Sequence, residues 1–525
     1  MEEADIVVVG GGSGGAAVAG RLAQDPRLSV AVIEPGGRNT GWRTTMPGAI
    51  PFQTAATNWA YQTVPQSGLN GRRGFQPRGR GLGGSSAINA MLYIRGHPTD
   101  YDAWASLGCA GWAYDDVLPW FRRIESNTRG ADAWHGGEGP LWVSDQSHVQ
   151  PASHAFVAAA ASLQIPVNAD FNGATQDGVG LYQVTQKDGE RWTSARAYLT
   201  PRPNLHLLTG TTVERVLFDG DRAWGVAFLR DGQRHVVRAR GGVVLAGGAF
   251  GTPQLLMLSG IGPARHLVDH GITVKVARDA VGADLQDHID YTASFDCDAP
   301  GLLGRSLKGQ LAGVAAMAQW FRRRTGPMTT PFAEAGGFLR TLPDVPAPDV
   351  QLHFVISVVE DHGRAKVAGH GYSCHVCVLR PESRGTVRLA DGDVLSAPVI
   401  DPAFLTDPAD MATMMRGVRA MYRILEAPAM RALGGRDRNP IDHADDDALE
   451  RLIRARADTV YHPVGTARMG SDADAVCTPR LAVRGVDRLW IADASVMPRL
   501  IGGNTNAPTI MIGERCADFI AADLR

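Results

Sequence analysis

The 525-residue sequence predicts an α/β fold in two lobes, one around a parallel sheet with a β-meander and one around an antiparallel sheet backed by helices. Three observations carry this. The chain is too long for one ordinary core. The continuous β-branched run "ADIVVVG" at 4–10 reads as a parallel strand buried on both faces, and it enters a glycine loop and a small-residue helix. Further on, "DVQLHFVIS" and "YSCHVCVLRPE" alternate apolar and polar positions, as antiparallel strands do.

The first unit is a dinucleotide clamp. In "GGGSGG" at 10–15, Gly10 permits the turn, Gly12 lets backbone touch a pyrophosphate and Gly15 lets the helix lie on the strand. Ser13 and Gly14 share that loop, and the dipole of the helix "AAVAGRLAQ" favours phosphate. The second strand, "LSVAVIE", ends in Glu34, an acid suited to ribose hydroxyls. This Rossmann-like order leaves the choice between NAD and FAD open.

A second glycine-rich stretch, "GRGLGGSSAIN" at 79–89, has too little side chain for an ordinary loop. Gly83 and Gly84 would let main-chain amides approach a large flat ring, with Ser85, Ser86 and Asn89 bonding its polar edge. A flavin fits that description better than the smaller nicotinamide. "RPNLHLLTGTTVERVLFDGDRAWGVAF" reads as the β-meander, turning at "DGD". "GGVVLAGGAF" returns to the parallel sheet, and "DRLWIADASVMPRL" with the last helix completes the lobe. Helical patterns around 411–424 and 445–456 back the antiparallel sheet.

Composition sets exclusions. Hydrophobic residues are 44%, charged residues 20% and the net charge −2, so no nucleic-acid footprint is expected. Six cysteines in so long a chain imply no disulfide framework, and Cys374 and Cys377 read as buried strand residues, with no metal site. The first strand begins by Ala4, so no leader is expected ahead of it. Apolar runs break well short of the ~18 residues of a membrane span. The expectation is a cytoplasmic protein without a transmembrane segment, at most in peripheral contact with the inner face of a membrane.

Five ordered blocks resemble the glucose–methanol–choline family of FAD oxidoreductases. They are "GRGLGGSSAINAMLYIRGHPTDYDAW", "GGAFGTPQLLMLSGIGP", "PESRGTVRLADG" with "PVIDPAFLTDPAD", "YHPVGTARMG" and "NTNAPTIMIGER". The resemblance spans essentially the whole chain. Within the family it is strongest to aliphatic alcohol and choline dehydrogenases, with "NWAYQT" and "LNGRR" favouring the alcohol branch. It implies an FAD-binding domain from 1–150, 196–289 and 459–525, and a substrate-binding domain from 151–195 and 290–458. Besides the glycine loops and Glu34, it implies FAD contacts at Trp59, Arg80, Val213, Ala246, Asp493, Ala494, Asn504 and Thr505. Some members attach FAD through a histidine in the first block. Ile88 stands there in this chain, so FAD is expected to be held non-covalently, and His97 is read as structural.

Alcohol oxidation removes a proton and a hydride. A neutral imidazole suits the proton and a flavin the hydride. The resemblance makes His462 the base. Asn506 is its expected partner, and also a candidate N-cap for a helix opening near Pro508. Phe332, Glu334 and His353 are the expected substrate contacts, with Glu334 available to a cation such as choline or to a pairing within the lobe. The expected reaction is oxidation of a primary, aliphatic alcohol, with electrons passed to a quinone-type acceptor. The alternatives are choline dehydrogenation, an oxygen-using alcohol oxidase and, more distantly, a flavin lyase or decarboxylase on the same scaffold.

Overall fold

The computed structural model describes residues 2–365 and 367–524. The parallel core runs in the order Leu205–Thr209, Val30–Glu34, Glu3–Val9, Gln233–Leu245, with Leu489–Ile491 paired in parallel to the last. Ile6, Val7 and Val8 are fully buried, as two-sided cover by helices requires. Burying each such side chain contributes about 1.5–3 kcal/mol relative to exposure.

One long strand joins the parallel and antiparallel halves of this seven-stranded sheet. The first half of Gln233–Leu245 pairs antiparallel with Arg222–Arg230, which hairpins to Thr212–Asp219. Its second half pairs in parallel with Glu3–Val9 after a register shift between Ala4 and Ile6, opposite Gly242 at φ 142°. The "LHLLT" segment departs from the expected meander. It forms Leu205–Thr209, the edge strand of the parallel sheet, because its register partner is Val30–Glu34.

The second sheet is antiparallel, in the order Arg436–Asp437, Ile289–Asp296, Gly371–Val378, Val350–Val355, Ala333–Leu339, Gly178–Leu181. The helices Pro151–Ser162 and Pro408–Leu425 back it, and a core of its own lies between sheet and helices. The predicted helix near 445 is Asp446–Arg456, capped by Asp445 accepting from the Ala448 N–H at 3.0 Å. The helix Leu307–Arg323 is not evident from the sequence pattern, since much of its apolar side is not buried. Among the described residues all six cysteines are free and buried, and no cluster of His, Cys, Asp or Glu is placed to hold a metal ion. No helix there is long and apolar enough to cross a membrane.

The helices Ser13–Leu22 and Asn506–Asp523 cross where both are bare. A Cβ on Gly14 would sit 1.9 Å from the Ala492 carbonyl oxygen, and one on Gly513 would sit 2.4 Å from the Gly14 carbonyl oxygen. Gly14→Ala is therefore expected to cost about 1–3 kcal/mol of stability or more, seen as a lower melting temperature and poorer flavin retention. Gly37→Ala, with nothing within 4 Å of its Cβ, is the control. Equal melting of the two variants would show that this crossing has slack.

Candidate active site

A cavity of about 1860 Å³ runs from the first glycine loop to a group of buried histidines. Gly10, at φ 107°, brings its α-carbon so close to the next strand that a Cβ would lie 2.3 Å from the Ala246 oxygen. Gly12 instead faces open space, its nearest neighbour to a Cβ being the Gly84 α-carbon at 3.9 Å. Gly15 packs helix on strand, a Cβ there falling 2.0 Å from the Gly10 oxygen. The Ser13 hydroxyl donates to Asn506 Oδ1 at 2.7 Å, which ties together the N-terminal turns of the two crossing helices. Both turns line the cavity, and both present unpaired N–H groups and positive dipole ends there.

The second glycine stretch packs on the first as well as on the cavity. The Gly83 N–H donates to the Gly11 carbonyl at 2.7 Å, and Gly83 itself does not line the cavity. Gly84 does, and a Cβ there would lie 2.7 Å from the Gly12 α-carbon. The clearance thus serves backbone-on-backbone contact before any ring. Glu34 knits the two stretches. Its carboxylate accepts from the N–H groups of Gly11 at 2.9 Å, Gly36 at 3.0 Å and Gly81 at 2.8 Å, while still reaching the cavity wall.

Ser85, Asn89, Val213, Ala246, Ala494, Thr505 and Trp59 all line the cavity. Ser85 Oγ accepts from the Gly79 N–H, and Asn89 Oδ1 accepts from Arg191. Trp59 stacks on Tyr61 at 5.7 Å with Arg80 over its face at 4.8 Å. Arg80 is accordingly a support for Trp59 and not part of the cavity wall. Asp493 also lines the cavity and accepts from the Gly248 and Ser495 N–H groups and the Thr252 hydroxyl. Burial pushes its carboxyl above the usual carboxylate range. His97 lies outside the cavity and caps the helix Pro98–Ser106.

His462 stands at the other end, 8% exposed. Its N–H donates to Asp287 at 2.8 Å, and burial pushes that carboxyl up to about 6. The ring is fixed by a directional chain. Leu379 offers only a carbonyl, so His288 Nε2–H must donate to it, at 3.0 Å. Burial pushes the His288 imidazole down to about 3, so it is neutral and its Nδ1 can only accept. His462 Nδ1, 2.9 Å away, must then be the donor. Burial, with His288, His353 and Arg78 nearby, also holds His462 well below the usual histidine range. A neutral His462 protonated on Nδ1 carries its lone pair on Nε2.

Beside that Nε2, at 3.2 Å, is the side-chain nitrogen of Asn504, whose own Oδ1 accepts from Gln351 Nε2 at 3.1 Å. This corrects the expected pairing: Asn504, not Asn506, meets His462. The reason is the helix start. Asn506 is the first residue of the helix Asn506–Asp523, not a cap ahead of Pro508, and there it turns to Ser13. His353 lines the cavity with both ring nitrogens buried and unpartnered, and burial pushes it down to about 3. Phe332 lines it too, at φ 65°. Glu334 does not. It accepts from the Gln150 N–H at 2.7 Å, Ser153 at 2.7 Å and Thr330 at 2.9 Å, inside the second lobe. Asp287, His288 and Gln351 were missed from sequence. The one available signal was the charged "QDH" triplet entering an apolar strand.

The chain is 42% identical to the alcohol dehydrogenase [acceptor] of Pseudomonas putida, over 98% of this chain and 95% of that one. It is 40% identical to the mitochondrial choline dehydrogenase of Mus musculus, over 99% and 89%. Its fold matches the crystal structure of pyridoxine 4-oxidase from Mesorbium loti with a TM-score of 0.89 at 32% identity, covering 98% of each chain. The GMC oxidoreductase family models match residues 4–290 and 381–513, and the chain belongs to this family of FAD-dependent oxidoreductases.

Proposed function

We propose that the chain oxidises primary aliphatic alcohols to aldehydes with non-covalently held FAD, His462 acting as general base and Asn504 orienting the hydroxyl. The observation that carries this reading is the unprotonated Nε2 of a neutral, buried imidazole at the cavity wall, which accepts from the Asn504 amide at 3.2 Å.

The residues suit FAD. Two helix N-termini and the open space beside Gly12 favour a pyrophosphate. The cavity exceeds the roughly 300–1,000 Å³ of a drug-sized site, as a cofactor and substrate together require. Ile88 lines it where attachment would need a histidine. FAD, when bound, supplies the hydride acceptor. The chain's own residues do the rest. Asn504 Nδ2–H donates to the alcohol oxygen and aims the hydroxyl at His462, whose Nε2 takes the proton. Phe332, Val355 and Val460 wall the cavity and keep water from an alkyl chain.

The sequestering of Glu334 favours a neutral alcohol over choline, since that carboxylate is spent inside the lobe. We take the electrons to leave to a quinone-type acceptor, reached through peripheral contact with a membrane. The Pseudomonas putida relative's name is consistent with a separate acceptor.

Anaerobic flavin bleaching, followed by stopped flow, tests the assignments. His462→Ala should keep the yellow colour and bleach about 10²–10⁴-fold more slowly. Asn504→Ala should slow bleaching at least about tenfold, whereas Asn506→Ala should loosen the flavin more than it slows the step. The reverse ranking of the two asparagines would return Asn506 to the catalytic pair.

A depressed pKa means that protonating His462 needs a lower pH than a free imidazole does, so the base form survives below about 6.5. Bleaching should hold level from pH 8 to about 6.5, then fall with a first limb near 6, where Asp287 titrates. Asp287→Asn, which fixes the neutral form, should abolish that limb and hold bleaching at its slower low-pH rate across this range. A limb near 7 that ignores this substitution would assign the proton to another group.

In a substrate panel, straight-chain primary alcohols should bleach the flavin at least about tenfold faster than choline at equal concentration. Faster choline oxidation would overturn the neutral-alcohol reading, and steady oxygen consumption would replace the quinone with an oxidase half-reaction.

A further inference from the structure

The helix Leu307–Arg323 has two unlike faces. Gly309, Ala312, Gly313 and Ala316 line the cavity, and Trp320 is buried with Met46 and Met328. On the opposite side Leu307, Leu311, Val314 and Phe321 are 76%, 65%, 67% and 50% exposed. Their spacing of four, three and seven residues sets them in one stripe along the helix. The stripe continues beyond it. Trp42 lies 6.5 Å from Phe321 and 5.5 Å from Phe52, and Phe52 is 42% exposed while also lining the cavity. Exposed side chains that line a cavity stand at its opening, so this apolar rim frames the entrance.

Charge singles out one kind of partner. The whole chain is slightly acidic, at −2, yet residues 301–333 hold Arg305, Lys308, Arg322, Arg323 and Arg324 with no Asp or Glu, and of these Arg324 is paired with Glu190. Residues 35–99, which supply Trp42 and Phe52, hold seven arginines, of which Arg38, Arg43 and Arg73 are exposed, and again no acid. Arg305, Arg322, Arg323 and Arg43 are exposed. A protein partner would not require both rim segments to be free of acids. An anionic bilayer surface does, because each carboxylate near it is repelled while each cation is attracted. An amphipathic helix bearing aliphatic and aromatic side chains between cations is the form that lies in such an interface.

We propose that the helix Leu307–Arg323 and the Trp42–Phe52 rim form a docking surface for anionic lipid bilayers, seating the cavity entrance on the membrane. The inference deepens the acceptor half of the proposed function, in which an apolar carrier takes the electrons. Its support is independent of the catalytic assignments.

The test uses FAD-loaded protein sedimented with vesicles of phosphatidylglycerol and phosphatidylcholine, against vesicles of phosphatidylcholine alone. Binding is expected only to the anionic vesicles, and should weaken with added salt. The double variant Leu311→Asp, Val314→Asp should bind them at least about tenfold more weakly, and its bleaching by a short water-soluble alcohol should stay unchanged, because neither residue lines the cavity. Unchanged bleaching also keeps a failure of docking apart from a failure of the catalytic reading. No sedimentation of the parent protein, or equal sedimentation of parent and variant, would falsify the proposal. A dimer seen by light scattering in the parent and lost in the variant would reassign the stripe to a second copy of the chain. The milder pair Leu311→Gln, Val314→Gln repeats the comparison should the aspartates unfold the helix.

Discussion

A single imidazole at the seam of two sheets sets the terms for the rest of the structure. His462 is held through its backbone by Asp287 and through its ring by His288, both at the entry to the strand Ile289–Asp296. Leu379, just after Gly371–Val378, fixes His288, and Gln351 on Val350–Val355 holds the amide of Asn504. Asn504 itself stands just ahead of the last helix of the parallel-sheet lobe. The ring is therefore located by groups from both lobes, and neither lobe alone could set its tautomer. Burial does the complementary work. It makes the charged form costly, so the ring stays neutral without a carboxylate on Nδ1.

The opposite end of the cavity answers to a different constraint, the closeness of two backbones. Gly12 and Gly84 nearly touch, and Glu34 collects three N–H groups from the loops around them. A buried carboxylate with three such donors is well satisfied, and losing any one would leave a polar group unpaired at about 1–3 kcal/mol. The same carboxylate reaches the cavity wall, so any hydroxyl it meets there shares an acceptor already organised by the fold.

Much of this was legible in the sequence, and the departures have physical causes. The strand, glycine loop, helix and second strand fell where the pattern placed them, because two-sided burial and glycine sterics are local constraints. The partner of His462 slipped by two residues because it depends on where the last helix begins, and one residue of helix turns a side chain by about 100°. Glu334 was misdirected by a bulge. Ala333 pairs with Val355 and Ala335 with Phe354, so Glu334 is the extra residue and the two-residue alternation fails there. Asp287 and His288 carry only the weak signature of a polar triplet entering an apolar strand, since their roles are set by His462 and Leu379, 175 and about 90 residues on.

The directional chain behind His462 has one more consequence for the proposed reaction. It ends on a carbonyl, which accepts a hydrogen bond but offers no second proton site. The His462–His288–Leu379 line can therefore orient the base but cannot carry a proton away from it. A proton taken on Nε2 must leave by the side on which it arrived, through the cavity. Release of the proton, entry of the alcohol and departure of the aldehyde would thus all pass through the cavity. Discharge of the proposed base is then tied to exchange in that cavity, because the back of the ring is closed by the bonds that fix its tautomer.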